Sequence, residues 1–378
     1  MIGTMRRRIW SLSIKDFIHL KNDWWLPAFM LVGGALELLL VGWATSRPIT
    51  NLPMMVLDHD KSQASRALVI TLENSETFQL EEQVHDMSTI EGAMDRGQIN
   101  VALVIPADFS DLVASSNKIA SILVILNGAE SIPAMTALRT LEGVTRTYSD
   151  NITIQRIGVN PEEFSGFDVS LLVWFNETLS DKFYTTPAEL GLMLEFTVLL
   201  FAALSFSRER ELGTLEQLLV MPFSSLELII GKAIPVIIIG FIDFVLMLGL
   251  VNLFFKVPIR GSLIFLLLLA LIYILVELGK GMVISVISKT QHQAFLLVML
   301  VGMADFMFTG YAAPVEGMPQ IVQYVAKFIP AHHWLEIMRA IMIKGAGLDV
   351  IWPNVLALFF LFLVIGTFSW RFIRRALD

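Results

Sequence analysis

Residues 208–232 read RERELGTLEQLLVMPFSSLELIIGK and lie between two long apolar runs. The leucines in the first half of this stretch have helical spacing, and most of its charged side chains fall on the other side of that helix. Pro222 lacks the N–H that a helix interior needs, so the helix is predicted to break there. Ser224 followed by Glu227 has capping-box spacing, which predicts that a second helix begins at once. The stretch therefore predicts a helix, a corner and a helix at a membrane surface.

The composition is that of an integral membrane protein. The chain has 378 residues, of which 55% are hydrophobic and 16% charged, and its mean hydropathy is +0.67. The net charge of -8 argues against a nucleic-acid-binding protein, which would present a basic face to phosphates. The absence of cysteine excludes thiol catalysis, disulfides and cysteine-based metal sites.

The N-terminal residues 1–25 mix arginines and lysines with apolar side chains. This pattern predicts either a cytoplasmic interfacial amphipathic helix or a basic flank that only orients the next segment, and both place the N-terminus in the cytoplasm. Residues 26–45 form an apolar run of about 20 residues, enough to cross a bilayer core. We expect this first span to remain as an anchor, because its end makes a poor signal-peptide cleavage site.

Residues 46–182 have the composition of a soluble domain. Apolar strand candidates lie at 54–57, 78–84, 101–105, 122–126 and 169–175. Helical patterns separate them, at 62–73, 88–97 and 132–156. A capping-box spacing from Ser88 to Glu91 marks the start of the second helix. The alternation predicts an α/β domain with a mixed sheet.

Five more apolar runs are predicted to cross the membrane, at 184–206, 229–255, 262–288, 292–311 and 352–372. They fall within residues 183–378, where the proline-containing segment 312–350 predicts short or re-entrant helices at the outer surface. The sequence thus predicts an α-helical membrane protein with six transmembrane helices and an α/β extracytoplasmic domain inserted between the first and second spans.

Basic residues of the short loops set the expected orientation. Most of them fall on the side of both termini and of residues 208–224. The positive-inside rule therefore places these parts in the cytoplasm and residues 46–182 outside. In a bacterial cell, the protein would be a multi-pass protein of the inner membrane with a periplasmic domain and both termini cytoplasmic.

No motif for energy conversion is present in the chain. ATP hydrolysis by the usual route needs a G-x-x-x-x-G-K-[ST] loop, but Gly231-Lys232 is followed by Ala233. No arrangement of nucleophile and base indicates hydrolysis. We therefore predict a transporter subunit that is not an enzyme and has no catalytic residues and no cofactor of its own. Any ATPase must be a separate polypeptide.

Ionisable side chains inside predicted spans each cost about 3 kcal/mol at a helix centre, so each needs a partner or a water-lined site. Glu195, Asp243 and Asp305 lie nearer span centres, which favours a substrate or proton path. Glu277 and Lys280 share a helix face and can neutralise each other, which favours a packing pair. All five are candidates for the substrate path.

Two polar clusters could suggest a metal site. The Asp-His-Asp sequence at 58–60 follows a strand candidate, but a turn that caps the next helix explains it better. The two histidines at 332–333 follow a proline and are interpreted as the polar start of a helix. No metal site is predicted.

The stretch RERELGTLEQLLVMPFSSLELIIGKAIP, with GYAAPVEGM at 310–318 and IPAHH at 329–333, closely resembles the type-2 ABC exporter permeases. These are the membrane subunits of ATP-binding-cassette efflux systems that carry a large periplasmic insertion after the first span. The resemblance covers essentially the whole chain. It implies that two such subunits, identical or paralogous, form the pathway and that each engages an ATPase subunit, which binds ATP and Mg2+.

The resemblance also implies that residues 208–224 contain the coupling helix, with the N-terminal helix beside it. The implied coupling residues are Glu209, Arg210, Glu211, Gly213, Thr214, Glu216, Met221 and Pro222. The expected function is ATP-driven export, by alternating access, of a small hydrophobic or amphiphilic substrate from the cytoplasm or inner membrane. The alternatives are a proton-coupled efflux carrier and a membrane-anchored docking scaffold for a periplasmic adaptor protein.

Overall fold

The chain divides into two units, one dominated by long apolar helices and the other built around a small sheet. The computed structural model describes residues 2–46, 49–115, 120–157, 175, 180–311 and 314–377. The helical unit combines Met1–Arg47 with Leu172–Asp378, and the α/β unit is Pro48–Leu171. Except for Phe175, the strand predicted at 169–175 lies outside the described residues.

Two helices open the chain, α1 (Ile2–Asn22) and α2 (Trp25–Ser46). α1 is amphipathic, since Leu12 and Ser13 are buried whereas Trp10 is exposed. α2 is apolar except for Glu37 and is long enough to cross a membrane.

The α/β unit contains four described strands, β1 (Leu52–Asp58), β2 (Phe78–Val84), β3 (Val101–Ile105) and β4 (Leu123–Leu126). Their order in the sheet is β2-β1-β3-β4. β1 pairs in parallel with β2 and β3, and β4 is antiparallel to β3, so the predicted mixed sheet is confirmed. Alternate side chains of β1 and β3 enter two separate apolar clusters, because both faces of the sheet are covered.

The helices of this unit are α3 (Gln63–Glu73), α4 (Met87–Asp95), α5 (Phe109–Ala114) and α6 (Ser131–Ile157). The predicted capping box at Ser88 is wrong, because α4 begins one residue earlier and Asp86 is its N-cap. The Asp86 carboxylate accepts hydrogen bonds from the Thr89 N–H at 2.9 Å and from the Ser88 hydroxyl at 2.6 Å. The Ser88 hydroxyl therefore donates a hydrogen bond to the capping carboxylate and is not itself the N-cap.

The rest of the helical unit comprises α7 (Lys182–Glu211), α8 (Leu215–Val220), α9 (Ser225–Phe255), α10 (Leu263–Ile287), α11 (Gln291–Phe308), α12 (Gln320–Ala326), α13 (Pro330–Arg339) and α14 (Leu348–Leu377). A π-helical turn, Ala340–Lys344, follows α13 and ends at Gly345, whose φ is 68°. Among the described residues, six helices are long and apolar enough to cross a membrane: α2, α7, α9, α10, α11 and α14. This number matches the prediction.

α7 is the central helix of this unit and packs against α2, α9, α10 and α11. Its crossing with α10 is close because position 281 is a glycine. A Cβ at Gly281 would lie 2.5 Å from the Cβ of Ala202 and 2.8 Å from the Leu199 carbonyl oxygen. A larger residue there would force the two helices apart.

Hydrogen bonds between helix termini define two ends of the helical unit. At one end, Arg210 donates to a carbonyl that closes α10 at 2.8 Å, and the Gln291 N–H that opens α11 donates to the carboxylate that closes α7 at 2.7 Å. At the other end, the Tyr184 hydroxyl near the start of α7 donates to the Gly310 carbonyl after α11 at 2.7 Å. We call these the corner end and the opposite end.

Candidate functional site

The connection between α7 and α9, residues 212–224, is called the corner below. The helix predicted to run through its first half is interrupted: α7 ends at Glu211, and α8 begins only at Leu215. The cause is Gly213, whose φ of 70° is a left-handed conformation that favours glycine. The predicted capping box is confirmed, since the Glu227 N–H donates to Ser224 Oγ at 3.3 Å and the Ser224 N–H donates to Glu227 Oε2 at 2.8 Å.

Buried charges lie beneath the corner. Lys232 Nζ of α9 is 3.2 Å from Glu209 Oε1 of α7 and 3.4 Å from the Asp16 carboxylate of α1. Lys15 donates to the same Glu209 oxygen at 2.7 Å, and the Thr214 hydroxyl donates to the other one. Burial raises the pKa of Asp16 above its ordinary value, although the attraction of Lys232 opposes this shift. This ionic network joins α1, α7 and α9.

α1 also packs closely on the start of α9. The Ser13 hydroxyl donates to the Gly231 carbonyl at 2.8 Å. A Cβ at Gly231 would lie 2.8 Å from the Cβ of Leu12, so the absence of a side chain lets the two helices touch. Leu12 joins Leu218 of α8 and Leu228 of α9 in a small apolar cluster. The N-terminal helix thus supports both sides of the corner.

The predicted coupling residues separate into an inward and an outward group. Glu209 and Thr214 belong to the buried network, and Arg210 donates to the last carbonyls of α10. Glu211 accepts the hydrogen bond from the first N–H of α11. The exposed members are Glu211, Gly213, Glu216, Met221 and Pro222. A partner approaching the corner would therefore meet the second group rather than the first.

A second charged cluster surrounds Lys280, inside α10. Its Nζ lies 2.7 Å from Asp305 Oδ2 of α11, 2.8 Å from Glu277 Oε2 and 3.6 Å from Glu195 Oε1 of α7. The pair predicted from sequence is thus part of a larger group, in which two more carboxylates share the same ammonium. With every member ionised, three negative charges and one positive charge leave a net charge of -2 in a buried place.

Aromatic side chains adjoin this Lys280 cluster. The Tyr273 hydroxyl donates to Glu195 Oε2 at 3.2 Å, and the Tyr273 ring stacks on Trp334 with a centroid distance of 5.1 Å. Phe244 packs against the same indole with a centroid distance of 5.7 Å. None of these three residues is predicted from the sequence, because aromatic residues within apolar runs form no distinguishing pattern.

Asp243, the remaining candidate for the substrate path, lies elsewhere. It is fully buried on α9, with Thr197 of α7 as its polar neighbour. Within the described part of the chain it forms no ion pair with Lys280. The structure therefore brings four of the five candidates together and leaves the fifth apart.

Neither polar cluster considered for a metal forms such a site. Over the described ranges, no three His, Asp or Glu side chains are grouped so that they could hold a metal ion. Asp58 Oδ1 accepts from the N–H groups of Asp60 and Lys61, both at 2.9 Å, which orders the turn before α3. His333 Nε2 lies 2.9 Å from the Lys327 carbonyl and fixes the start of α13. Both clusters therefore stabilise local structure.

Comparison with known proteins defines a class for this arrangement. Residues 24–371 match the family model of the ABC-2 family transporter proteins. The probable multidrug ABC transporter permease YbhR of Escherichia coli K12 is 27% identical over 371 residues, covering 98% of this chain and 99% of that protein. The probable multidrug ABC transporter permease YbhS of the same strain is 26% identical over 377 residues, 98% of both chains. The inner membrane transport permease YhhJ of Escherichia coli K12 is 24% identical over 358 residues, which cover 93% of this chain and 93% of that protein.

These matches define membrane permease subunits of ABC exporters, which are not enzymes and which act with a separate ATPase subunit. The chain belongs to the ABC-2 family of transporter proteins. The resemblance carried by residues 208–232 is thereby confirmed, and the protein is a multi-pass membrane protein.

Proposed function

We propose that this permease moves a small hydrophobic or amphiphilic substrate out of the cytoplasm or inner membrane by alternating access, driven by ATP hydrolysis in a partner. The corner is the observation that supports this most directly. It joins two long apolar helices, exposes a polar and apolar surface, and rests on a buried ionic network. The multidrug transporter names of the two Escherichia coli relatives support the substrate class.

In this proposal, the ATPase subunit contacts the exposed side chains of Glu216, Met221 and Pro222. When two ATPase subunits close on ATP and Mg2+, they push on the corner. The Glu209–Lys232 ion pair would make α7 and α9 move together, because separating buried charges is costly. Pro235 within α9 would allow that helix to bend locally. Two permease copies, identical or paralogous, would enclose the pathway.

We further propose that the corner end faces the cytoplasm. It carries Arg208, Arg210, Lys232 and Lys289, as the positive-inside rule requires. The proposed parts are then a cytoplasmic interfacial helix (1–25), a first span (26–45), a periplasmic α/β domain (46–182) and five further spans (183–378). The last part includes the coupling segment (208–224) and outer helices (312–350). The protein would lie in the inner membrane with both termini in the cytoplasm. The α/β domain could also dock a periplasmic adaptor.

Labelling in intact cells tests this orientation. The chain has no native cysteine, so Glu91→Cys and Glu216→Cys each introduce one exposed thiol. A membrane-impermeant maleimide should modify position 91 in intact cells and position 216 only after lysis. The reverse pattern would overturn the proposed orientation.

Glu216→Lys tests the contact with the ATPase, because it reverses the charge of one exposed side chain without disturbing the buried network. We expect several-fold weaker co-purification of the ATPase and a matching loss of ATP hydrolysis by the complex. Glu316→Lys is the matched control, since Glu316 is exposed in the turn Val315–Gly317 at the opposite end. Equal behaviour of the two variants would contradict the proposed contact.

A proton-coupled carrier is the second candidate, and the excess of carboxylates around Lys280 favours it. A buried group with a net charge of -2 would be stabilised by taking up protons, which a transport cycle could release elsewhere. Reconstituted vesicles distinguish the two mechanisms. Transport driven by a pH gradient without ATP, and lost in Glu277→Gln, would support the carrier, whereas transport that requires ATP and the partner would support the exporter.

A further inference from the structure

An exposed carboxylate lies near the middle of the first long apolar helix. Glu37 is the only charged residue in the sequence of α2, and its side chain is exposed. The part of α2 that can cross a membrane runs from Trp25 to Thr45. At 1.5 Å per residue, Glu37 lies about 18 Å from the first end and about 12 Å from the second. Its side chain has only two methylene groups, so the carboxylate cannot reach either membrane surface as a longer side chain would.

No positive charge compensates this carboxylate in the described part of the chain. Neither Glu37 nor Glu189 of α7 forms an ion pair among the described residues. Glu189 is buried and accepts a hydrogen bond from the Tyr311 hydroxyl, and it is close enough to Glu37 for the two charges to repel each other. A charged side chain is costly in hydrocarbon, so Glu37 requires water or a polar partner at this depth.

The sides of α2 differ in a way that separates Glu37 from the lipid. The buried side meets α7 and α9 through small or apolar residues: Gly34, Leu38 and Gly42. The outermost side carries large exposed apolar residues: Phe29, Val32, Leu36, Leu40 and Trp43. Glu37 lies on the flank between these two sides, with Gly33 one turn before it and Ala44 two turns after it. The outermost side suits lipid, whereas this flank combines a carboxylate with small residues.

The packing of α2 shows where the flank points. Met30 lies seven residues before Glu37, on the same flank, and packs against an apolar cluster contributed by α7, α10 and α11. α11 is the least apolar of the six long helices, although little of it is buried. The flank that carries Glu37 therefore turns toward the long helix that is least suited to contact with lipid.

We propose that Glu37 and its flank of α2 line a water-filled pathway in the assembled transporter and face the second permease copy across it. Water in the pathway would solvate the carboxylate, and the second copy would separate it from lipid. The inference rests on the proposed function, which supplies the second copy. It gives a role to an acidic residue that belongs neither to the network of Lys232 nor to the cluster of Lys280.

Thiol accessibility tests this placement, because the chain has no native cysteine. Gly33→Cys and Glu37→Cys probe the flank, and Val32→Cys and Leu36→Cys probe the outermost side at a similar depth. A Cβ at Gly33 would meet no atom within 4 Å, so a side chain fits there. Native membranes that are open on both sides would be treated with the cationic, membrane-impermeant reagent 2-(trimethylammonium)ethyl methanethiosulfonate. It reacts with thiolates, which form readily only where water reaches the thiol.

We expect modification at positions 33 and 37 to be at least tenfold faster than at positions 32 and 36. Equal rates at the four positions, or no reaction at 33 and 37, would overturn the proposal. Moving the charge gives a second test that needs no reagent. Leu36→Glu should lower the amount of assembled protein in the membrane at least fivefold, whereas Glu37→Leu should leave it unchanged. A rise for Glu37→Leu as large as the fall for Leu36→Glu would place Glu37 in lipid.

ATP and vanadate separate this inference from the proposed function. A change in the reaction rates at positions 33 and 37 on adding both would support the pathway and alternating access together. Fast reaction at both positions that is indifferent to ATP and vanadate would keep the water-filled pathway but contradict its control by ATP. Unreactive thiols at 33 and 37 in membranes where the complex still hydrolyses ATP would overturn the placement of Glu37 alone.

Discussion

Lys232 Nζ lies 3.2 Å from Glu209 Oε1, and this buried ion pair joins the two helices on either side of the corner. The side-chain exposures are 2% for Lys232 and 7% for Glu209. Because the pair bridges α7 and α9, we expect a displacement of one of these helices to move the other as well. The pair is therefore the natural first target for mutation.

Glu209→Gln should destabilise the folded permease by about 3 kcal/mol, because Lys232 then remains buried with only the more distant Asp16 carboxylate. Thermal unfolding of the detergent-solubilised protein measures this loss. Glu216→Gln is the matched control, since Glu216 is exposed on α8 and lies outside the buried network. A double variant, Glu209→Leu with Lys232→Met, should recover much of the stability. A Glu209→Gln protein as stable as the control would contradict a structural role for the pair.

Gly213 should resist any residue with a Cβ because of its backbone conformation. Its φ is 70°, and a Cβ there would meet no atom within 4 Å. A substitution at this position therefore measures the cost of the left-handed backbone conformation alone, without a steric clash. Gly213→Ala should cost about 1 kcal/mol, and Gly213→Asn less, because asparagine tolerates left-handed geometry better. Unfolding temperatures and ATP-coupled transport of the two variants check the order. Alanine tolerated as well as asparagine would show that the corner reorganises.

Lys280→Met should be far more damaging than Glu277→Gln. Removing the lysine leaves three buried carboxylates without the ammonium that they share, whereas removing one carboxylate reduces an existing excess of negative charge. The yield of monodisperse protein and its unfolding temperature measure the difference. Similar losses for both variants would mean that the excess charge is balanced by something other than Lys280.

Asp86 should make the stability of α4 depend on pH. Hydrogen bonds from the Ser88 hydroxyl and the Thr89 N–H lower the pKa of Asp86. A lowered pKa in the folded state means that the carboxylate stabilises the fold above its ordinary pKa, near pH 4, and that this is lost as the pH falls through the lowered value. Hydrogen exchange of residues 87–95 should therefore be faster in Asp86→Ala than in the native protein at pH 6, with a smaller difference near pH 3. Asp86→Asn keeps a cap that does not titrate. If the hydrogen exchange of residues 87–95 in Asp86→Asn showed the same dependence on pH as in the native protein, the Asp86 carboxylate would not be its cause.

Patterns of apolar residues in the sequence are sufficient to locate the strands and the six long apolar helices that the structure describes. Buried strands and membrane-spanning helices both need apolar residues at neighbouring or regularly spaced positions, so both can be recognised from a short window of sequence. Helix boundaries depend on competition between neighbouring groups, which is why Asp86 rather than Ser88 begins α4. The interruption at Gly213 does not follow from the sequence for a related reason, since a glycine in a helical pattern can lie inside the helix or can end it.

The candidate site is predictable only where its members are close in sequence. Glu277 and Lys280 lie one helical turn apart, and their contact follows from spacing alone. Lys15 and Glu209 are separated by 194 positions, so only the packing of α1 on α7 and α9 brings them together. The convergence of Glu195 and Asp305 on Lys280 likewise depends on three helices crossing at one level.

Cross-linking from the corner tests the central claim most directly. Glu216→Cys and Glu316→Cys would each be labelled in native membranes with a maleimide that carries a photoreactive benzophenone, which on irradiation inserts into nearby C–H bonds of any contacting protein, and the adducts identified by mass spectrometry. We predict that position 216 captures an ABC ATPase subunit, with a yield that changes when ATP and vanadate are added, and that position 316 captures none. An ATPase captured equally from both positions, or from neither while the complex remains intact, would contradict the assignment of the corner as the surface that receives the work of ATP hydrolysis.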